Sequence, residues 1–146
     1  MAASPAGDYY HGLKMASKAV VDAFEAQIGA TWSGLAVVGT NTSGESPSDG
    51  SSFIIIQFPV STAVRITVNT GRYFEEGAAR FVINMQRGDG LGAGLTKADA
   101  LATLFRDVDF GGVETFVPSP PIIDDTNEDG NYYAFAVIVP YRYEFT

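Results

Sequence analysis

The chain has 146 residues, enough for one domain whose core removes roughly 70% of the unfolded chain's surface from water. Hydrophobic residues make up 46% and charged residues 18%, which is typical of a folded globular protein and excludes a chain that is disordered throughout. The net charge of −8 disfavours docking on a phosphate backbone or on anionic lipid, because both depend on Lys and Arg.

The residue types exclude several further kinds of site. The chain has no cysteine and one histidine, His11, which excludes disulfides, thiolate chemistry and the common zinc sites. No apolar run approaches the ~20 residues that span a bilayer, and residues 1–5 lack the basic and apolar regions of a secretory signal. We therefore expect no membrane partner, and a protein that acts where it is made or in a particle that it joins.

A first helix is predicted over residues 8–29, because apolar residues recur close to one stripe: Tyr10, Leu13, Val20, Phe24 and Ile28. Asp8 is placed to cap its start, and Gly29 to end it in a left-handed conformation. A short strand is predicted around residues 35–38. A flexible loop follows over residues 40–52, which contain no apolar residue to anchor them.

Three strands are predicted in the middle of the chain. Residues 53–58 are mostly β-branched and short enough for a buried strand, which Pro59 ends or bends. Residues 64–68 alternate between apolar and polar, as a half-exposed strand does. Residues 80–86 alternate again, with the larger apolar side chains on one face.

A glycine-rich connection and a second helix follow. The connection has glycines at positions 88, 90, 92 and 94, and the helix is predicted to open at Thr96, with Asp99 completing a variant capping box. Gly111 and Gly112 are predicted to stop this helix. Its buried face is predicted from helical spacing: Ala98, Leu101, Ala102, Phe105 and Val108.

The last part of the chain predicts two strands. Residues 113–117 form the first, and the prolines that follow cannot belong to a central strand. Residues 118–130 are predicted to be a second flexible loop, and residues 132–145 the longest strand. Together these elements predict one α+β domain over residues 1–146, a mostly antiparallel sheet packed with two helices in the order α-β-β-β-α-β-β.

The glycine-rich connection also fits a dinucleotide-binding pattern. Gly88-Asp89-Gly90-Leu91-Gly92-Ala93 matches G-x-G-x-x-(G/A) between a predicted strand and a predicted helix. The preceding strand alternates instead of being apolar on both faces, and no series of strand–helix units follows it. A plain connection is therefore favoured. A small nucleotide-binding enzyme that uses the Gly88–Gly94 loop is the remote alternative.

One acidic segment resembles half of a calcium-binding loop. Residues 125–130 fit D-x-[DN]-x-[DN]-G, but Ala136 stands where an EF-hand needs a bidentate Glu, and a strand follows instead of a helix. An EF-hand is therefore excluded. A looser site with Asp125, Asn127 and Asp129 as ligands stays open, against a solvated hairpin tip.

No catalytic constellation emerges from the remaining polar residues. The carboxylate pairs, Glu75 with Glu76 and Asp107 with Asp109, have no nucleophile or metal ligand beside them in sequence and are expected to cap elements or face water. Trp32 is expected to be a packing anchor. The nine Lys and Arg residues are scattered and form no basic stripe, which disfavours nucleic-acid readout. We expect no cofactor and no enzymatic activity.

The central segment resembles the phage tail terminator family. Glu75-Glu76-Gly77 leads into the alternating strand, the glycine-rich connection follows, and the helix reads Ala98-Asp99-Ala100-Leu101-Ala102-Thr103-Leu104-Phe105. A closing strand ends in the aromatic and basic run of residues 139–143. The similarity extends from about Asp8 to Tyr143, whereas residues 39–52 match nothing in the family.

The resemblance implies a hexameric ring on the head-proximal end of the tail tube, which stops tube growth and offers a surface for head joining. The implied partners are further copies of the chain, the tail tube protein, and a connector or head-completion protein, in a virion tail assembled in the host cytoplasm. DNA would pass through the lumen without sequence-specific binding. The alternative within this class is another ring of the neck.

Charged residues are the candidates for contacts in such a ring. Asp124, Asp125, Glu128 and Asp129 are predicted to line the lumen or to form a docking loop. Arg87 and Arg142 are predicted to form ion pairs between subunits. The loops at 40–52 and 118–130 are predicted to contact partners.

Overall fold

The structure, a computed structural model, describes residues 16–40, 52–65, 71–86, 91–124 and 132–145. Two helices and seven strands lie in these ranges. In chain order they are Lys18–Thr31 (α1), Ala36–Thr40 (β1), Phe53–Arg65 (β2), Tyr73–Gln86 (β3), Leu91–Leu104 (α2), Asp109–Phe110 (β4), Val113–Thr115 (β5), Ile122–Asp124 (β6) and Tyr132–Phe145 (β7). Neither described helix is long and apolar enough to cross a membrane.

All seven strands belong to one sheet, in the order β1-β2-β3-β7-β5-β4, with β6 also paired to β7. The β1–β2 pair is parallel and the other pairs are antiparallel. Strand β3 lies between β2 and β7, and it pairs with β7 over all 14 of its residues. The predicted α+β class and mostly antiparallel sheet are confirmed.

Both helices pack on one face of this sheet, and aromatic residues fill the space between the layers. Phe24 of α1 contacts five rings at centroid distances between 5.0 and 6.3 Å: Phe58, Phe81, Phe105, Phe110 and Tyr141. All of these side chains are buried. Because aromatic side chains bury large apolar areas, this cluster fixes α1 over β2, β3 and β7.

Strands β2 and β3 are longer than the sequence predicts. Pro59 bends the predicted strand 53–58 without ending it, since β2 continues to Arg65 through an irregularity between Gln57 and Val60. The extra residue of a bulge makes no ladder hydrogen bond, so a proline is tolerated there although it would be excluded from an unbroken ladder. Residues 64 and 65 of the strand predicted at 64–68 therefore belong to β2, whereas residues 66–68 lie outside the described residues. Strand β3 begins at Tyr73, well before the predicted start.

Helix α2 begins earlier than predicted, so Thr96 does not cap it. The helix starts at Leu91, and the Thr96 hydroxyl donates to the carbonyl of Gly92, 2.9 Å away. Gly94 is buried in the first half of this helix against the ring of Phe135, where an added Cβ would clash with the ring edge. One of the glycines that predicted a loop, Gly94, is therefore required by the packing of α2 on Phe135.

The end of α2 also differs from the prediction. The helix ends at Leu104, whereas Gly111 and Gly112, with φ of 54° and 84°, form the turn between β4 and β5. Thr115 holds the intervening chain, because its buried hydroxyl donates to the carbonyl of Phe105 at 2.7 Å and accepts from the amide of Val108 at 3.1 Å. Of the predicted buried face, Ala98, Leu101 and Ala102 lie on α2 and are buried, whereas Phe105 is buried and Val108 partly buried beyond the end of the helix.

The predicted loop at 118–130 contains a strand. Ile122–Asp124 (β6) pairs with Ala134–Ala136 of β7, and Ser119 exchanges two hydrogen bonds with the backbone of Ile138, at 2.8 and 3.0 Å. Residues 125–130 of that loop lie outside the described residues, as do residues 41–51 of the loop predicted at 40–52 and residues 8–15 of the predicted first helix.

A carboxylate on β3 ties the start of α1 to the sheet. Glu75, only 4% exposed, accepts hydrogen bonds at its Oε2 from the hydroxyl of Tyr141 (2.7 Å), the hydroxyl of Ser61 (2.8 Å) and the backbone amide of Ser17 (3.1 Å). Ser17 is the N-cap of α1, and its own side chain makes no capping bond. Since the first turn of α1 has no acidic residue, Glu75 supplies the negative charge that a helix N-terminus favours.

The environment of Glu75 lowers its pKa. Burial alone raises the pKa, but hydrogen bonds from Ser17, Tyr141 and Ser61 together outweigh burial and bring it below the ordinary value of 4.5. Burial and the neighbouring carboxylate raise the pKa of the Tyr141 hydroxyl, which therefore stays protonated as the donor. Glu75 was predicted to cap an element or to face water. It caps the start of α1, and it does so as a buried residue.

Substitutions at two glycines of α2 test the packing requirement. We expect Gly94→Ala to lower the free energy of unfolding by about 1–2 kcal/mol, because the clash with Phe135 outweighs the better helix propensity of Ala. The matched control is Gly92→Ala, whose Cβ would meet nothing within 4 Å and which should stabilise by about 0.5–1 kcal/mol. Urea unfolding of both variants checks this, and equal effects would contradict it.

Removing the charge of Glu75 tests its link to α1. We expect Glu75→Gln to lower the free energy of unfolding at pH 7 by about 1.5–3 kcal/mol, the range for hydrogen bonds to a charged group. Because the pKa of Glu75 is lowered on folding, its contribution is present above the unfolded value near 4.5 and is lost as pH falls through the folded pKa. Urea unfolding at pH 7 and at low pH should therefore show the variant approaching wild type in acid.

The control for this measurement is Glu76→Gln, since Glu76 is exposed on the other face of β3. It should leave stability within about 0.5 kcal/mol of wild type. A Glu75→Gln variant that loses no more than this control would overturn the assignment.

Candidate assembly surfaces

Exposed apolar side chains lie mainly at two opposite edges of the sheet. Nine large apolar residues are exposed in the described part of the chain. Four lie on the β5–β6 side, as two adjacent pairs in the sequence: Phe116, Val117, Ile122 and Ile123. Three lie on the β1–β2 side: Val37, Val60 and Val64. The other two, Leu91 and Leu95, lie on α2, and none lies on β3 or β7. The central strands are thus covered, and the edges are not.

The first of these surfaces is the outer edge segment, residues 116–124. It runs beside β7, because the amide of Phe116 donates to the carbonyl of Pro140 at 3.1 Å, Ser119 bonds to Ile138, and β6 pairs with residues 134–136. Its apolar side chains are between 38% and 64% exposed. Three prolines interrupt it, so it lacks the backbone donors of a regular strand.

The second surface is the edge of β2 that β1 leaves uncovered. Strand β1 pairs only with Phe53–Ile56, so Gln57–Arg65 has no described strand on that side. Val60 is paired across the ladder with Ala78, and it is 54% exposed on the sheet face away from α1 and α2. Ile122 lies on the same face at the other edge, since it is paired with Ala136, whereas Ile123 is paired with Phe135 on the helix-bearing face.

A groove lies beside the start of β1, between the end of α1 and one flank of α2. It has a volume of about 290 Å³, and Trp32, Ala100 and Leu104 provide its apolar walls. Trp32 is held in place by its indole N–H, which donates to the carbonyl of Leu35 at 2.9 Å, and its ring lies against Gly34. Lys97 is the charged residue among those that line the groove. Trp32 also packs against the core, as predicted.

Arg142 lies on the sheet face away from α1 and α2. Its guanidinium carbon is 4.2 Å from the centre of the Phe74 ring, and its buried Nε has no hydrogen-bond partner among the described residues. Glu76 on β3 and Glu114 on β5 are its cross-strand neighbours, and both are exposed.

Most of the other predicted site residues lie where the structure gives no description. Asp124 ends β6, whereas Arg87, Asp125, Asn127, Glu128 and Asp129 lie outside the described residues. The calcium site suggested for Asp125, Asn127 and Asp129 is therefore untested. Among the residues that the structure does describe, no group of three or more His, Asp or Glu could hold a metal ion.

The fold does not favour the nucleotide-binding alternative. That motif needs a parallel strand leading into the helix, but β3 is antiparallel to both of its neighbours. Gly92 and Ala93 lie inside α2. Residues 87–90 lie outside the described residues, but the strand and helix around them do not form the dinucleotide-binding unit.

Sequence reasoning missed the outer edge segment and the groove. The signal for the former was present, because two isoleucines between Pro121 and Asp124 form a β-branched pair inside a segment predicted to be a polar loop. The groove had no signal in the sequence, since Trp32 and Lys97 are 65 positions apart and meet only when both helices pack on the sheet.

Comparison with known proteins supplies the family. The model of the phage tail terminator protein family matches residues 19–141. This chain is similar to 13 chains of solved structures. One of them superposes on it with a TM-score of 0.61 at 19% sequence identity, over 91% of this chain and 99% of the other. Identity at that level shows the fold alone. No curated protein matches.

The family match covers both helices and most of the sheet, including the strand β7 up to Tyr141. The family is a structural one, and membership implies a place in the virion tail and an interaction with the tail tube. The chain belongs to the phage tail terminator family.

Proposed function

We propose that six copies of this chain close into a ring on the head-proximal end of the tail tube. The ring stops the addition of further tube subunits and offers its other surface for head joining. Its partners are its own copies, the tail tube protein, and a head-tail connector or head-completion protein. The activity is the shape of the ring, and no bond is made or broken.

The observation that carries this proposal is the placement of exposed apolar residues at two opposite edges of one sheet. A ring needs a head-to-tail contact between two different patches, whereas a two-fold dimer uses one patch twice. The outer edge segment and the uncovered edge of β2 are two such patches. Contiguous exposed apolar surface on a soluble domain marks interaction sites.

The charged residues have roles in this ring. The net charge of −8 suits a lumen through which DNA slides without adhering, because like charges repel the duplex. Asp124, Asp125, Glu128 and Asp129 line this lumen or form a docking loop. Arg142, whose guanidinium lies over the Phe74 ring, donates hydrogen bonds to a carboxylate of a neighbouring subunit, and Arg87 forms a second pair. An exposed pair of this kind contributes about 0–1 kcal/mol.

The alternative is another ring of the neck, such as a connector or head-completion component. It would use the same two edges, so ring formation alone does not separate the two functions. The family match favours the terminator.

Loss of the protein separates these functions. We expect phage that lack it to make tail tubes longer than normal, because nothing stops tube growth. Electron microscopy of the particles measures tube length. Tails of normal length without heads would favour the connector, and complete particles with normal tails would overturn both.

Charge placed on either edge should block ring closure. We expect Ile122→Glu and Val60→Glu each to prevent the ring, because each buries a carboxylate in an apolar contact. An equimolar mixture of the two variants should form dimers and no ring, since one intact contact remains between them. Light scattering after size exclusion, at a concentration where the wild type assembles, measures this.

The control is Leu91→Glu, because Leu91 has the same 54% exposure as Val60 but lies on α2, away from both edges. It should assemble like wild type. A mixture that stays monomeric, or edge variants that assemble normally, would contradict the head-to-tail arrangement. Melting temperatures of all variants confirm that they fold.

A further inference from the structure

The geometry points to one particular contact in this ring: Ile123 on the outer edge segment of one copy enters the groove beside Trp32 of the next copy. This inference rests on the proposed ring and names the surfaces that meet.

The positions of the two surfaces fit a head-to-tail contact. The groove lies beside the β1 edge, since Gly34 on its wall is two residues before β1 begins. Ile123 lies at the opposite edge, on β6. Both are on the helix-bearing side of the sheet, because the groove lies between the helices and Ile123 is paired with Phe135 of the core face. Copies placed side by side with the same orientation therefore bring Ile123 to the groove.

Size and polarity also match. Isoleucine has four side-chain carbons, and a cavity of about 150 Å³ is enough for the six carbons of benzene. The groove is about 290 Å³ and has Trp32, Ala100 and Leu104 as apolar walls. Ile123 is 52% exposed within the single subunit, so it has apolar surface left to bury.

Cross-linking tests the contact directly, because the chain has no cysteine of its own. Ala100→Cys places a thiol at the groove, and Ile123→Cys places one on the outer edge segment. A disulfide needs Cα atoms within about 7 Å, so mild oxidation of a mixture of the two single variants should give a covalent dimer only if the surfaces meet. The double variant should give a ladder of products up to six copies.

The matched control is Asp99→Cys with Ile123→Cys, since Asp99 is exposed on α2 but does not line the groove. This pair should cross-link at least about tenfold less than the Ala100→Cys pair. A ring that forms normally while both pairs cross-link equally, or neither does, would overturn the contact and leave the proposed function standing. A wild-type chain that never assembles, alone or on tails, overturns both.

Discussion

The antiparallel pairing of β3 with β7 is the constraint on which the rest of the structure depends. It runs over all 14 residues of both strands, and its register decides which side chains face the helices. A shift by one residue would turn every side chain to the other face. With the observed register, Phe81, Phe135 and Tyr141 join the core around Phe24, and Glu75 reaches the first amide of α1.

The same pairing leaves the two edges of the sheet open. Strands β4, β5 and β6 extend the described sheet beyond β7, and β1 covers only the first residues of β2. Apolar side chains therefore remain exposed on both outer sides and not in the middle. In the proposed ring these two sides meet, and the Trp32 groove gives that contact a defined position.

Sequence periodicity predicted the core elements well. The buried positions Ala98, Leu101 and Ala102 of α2 follow from helical spacing alone, and the long strand predicted at residues 132–145 is β7. The start of α2 was not predictable, because Gly92 and Gly94 are poor helix formers and the reason for Gly94 is Phe135, a residue 41 positions away. In the same way, adjacent Glu75 and Glu76 must face opposite sides of a strand, and only the fold decides which one is buried. Strand β6 of the outer edge segment was not predicted, because prolines and acidic residues flank it in the sequence.

The prolines of the outer edge segment have a consequence for assembly. Pro118, Pro120 and Pro121 cannot donate backbone hydrogen bonds, so this border of the sheet is a poor template for another strand. A neighbour must recognise it by side-chain shape instead of by continuing the ladder. Uncontrolled pairing of sheets edge to edge is thereby disfavoured, as the proposed closed ring requires.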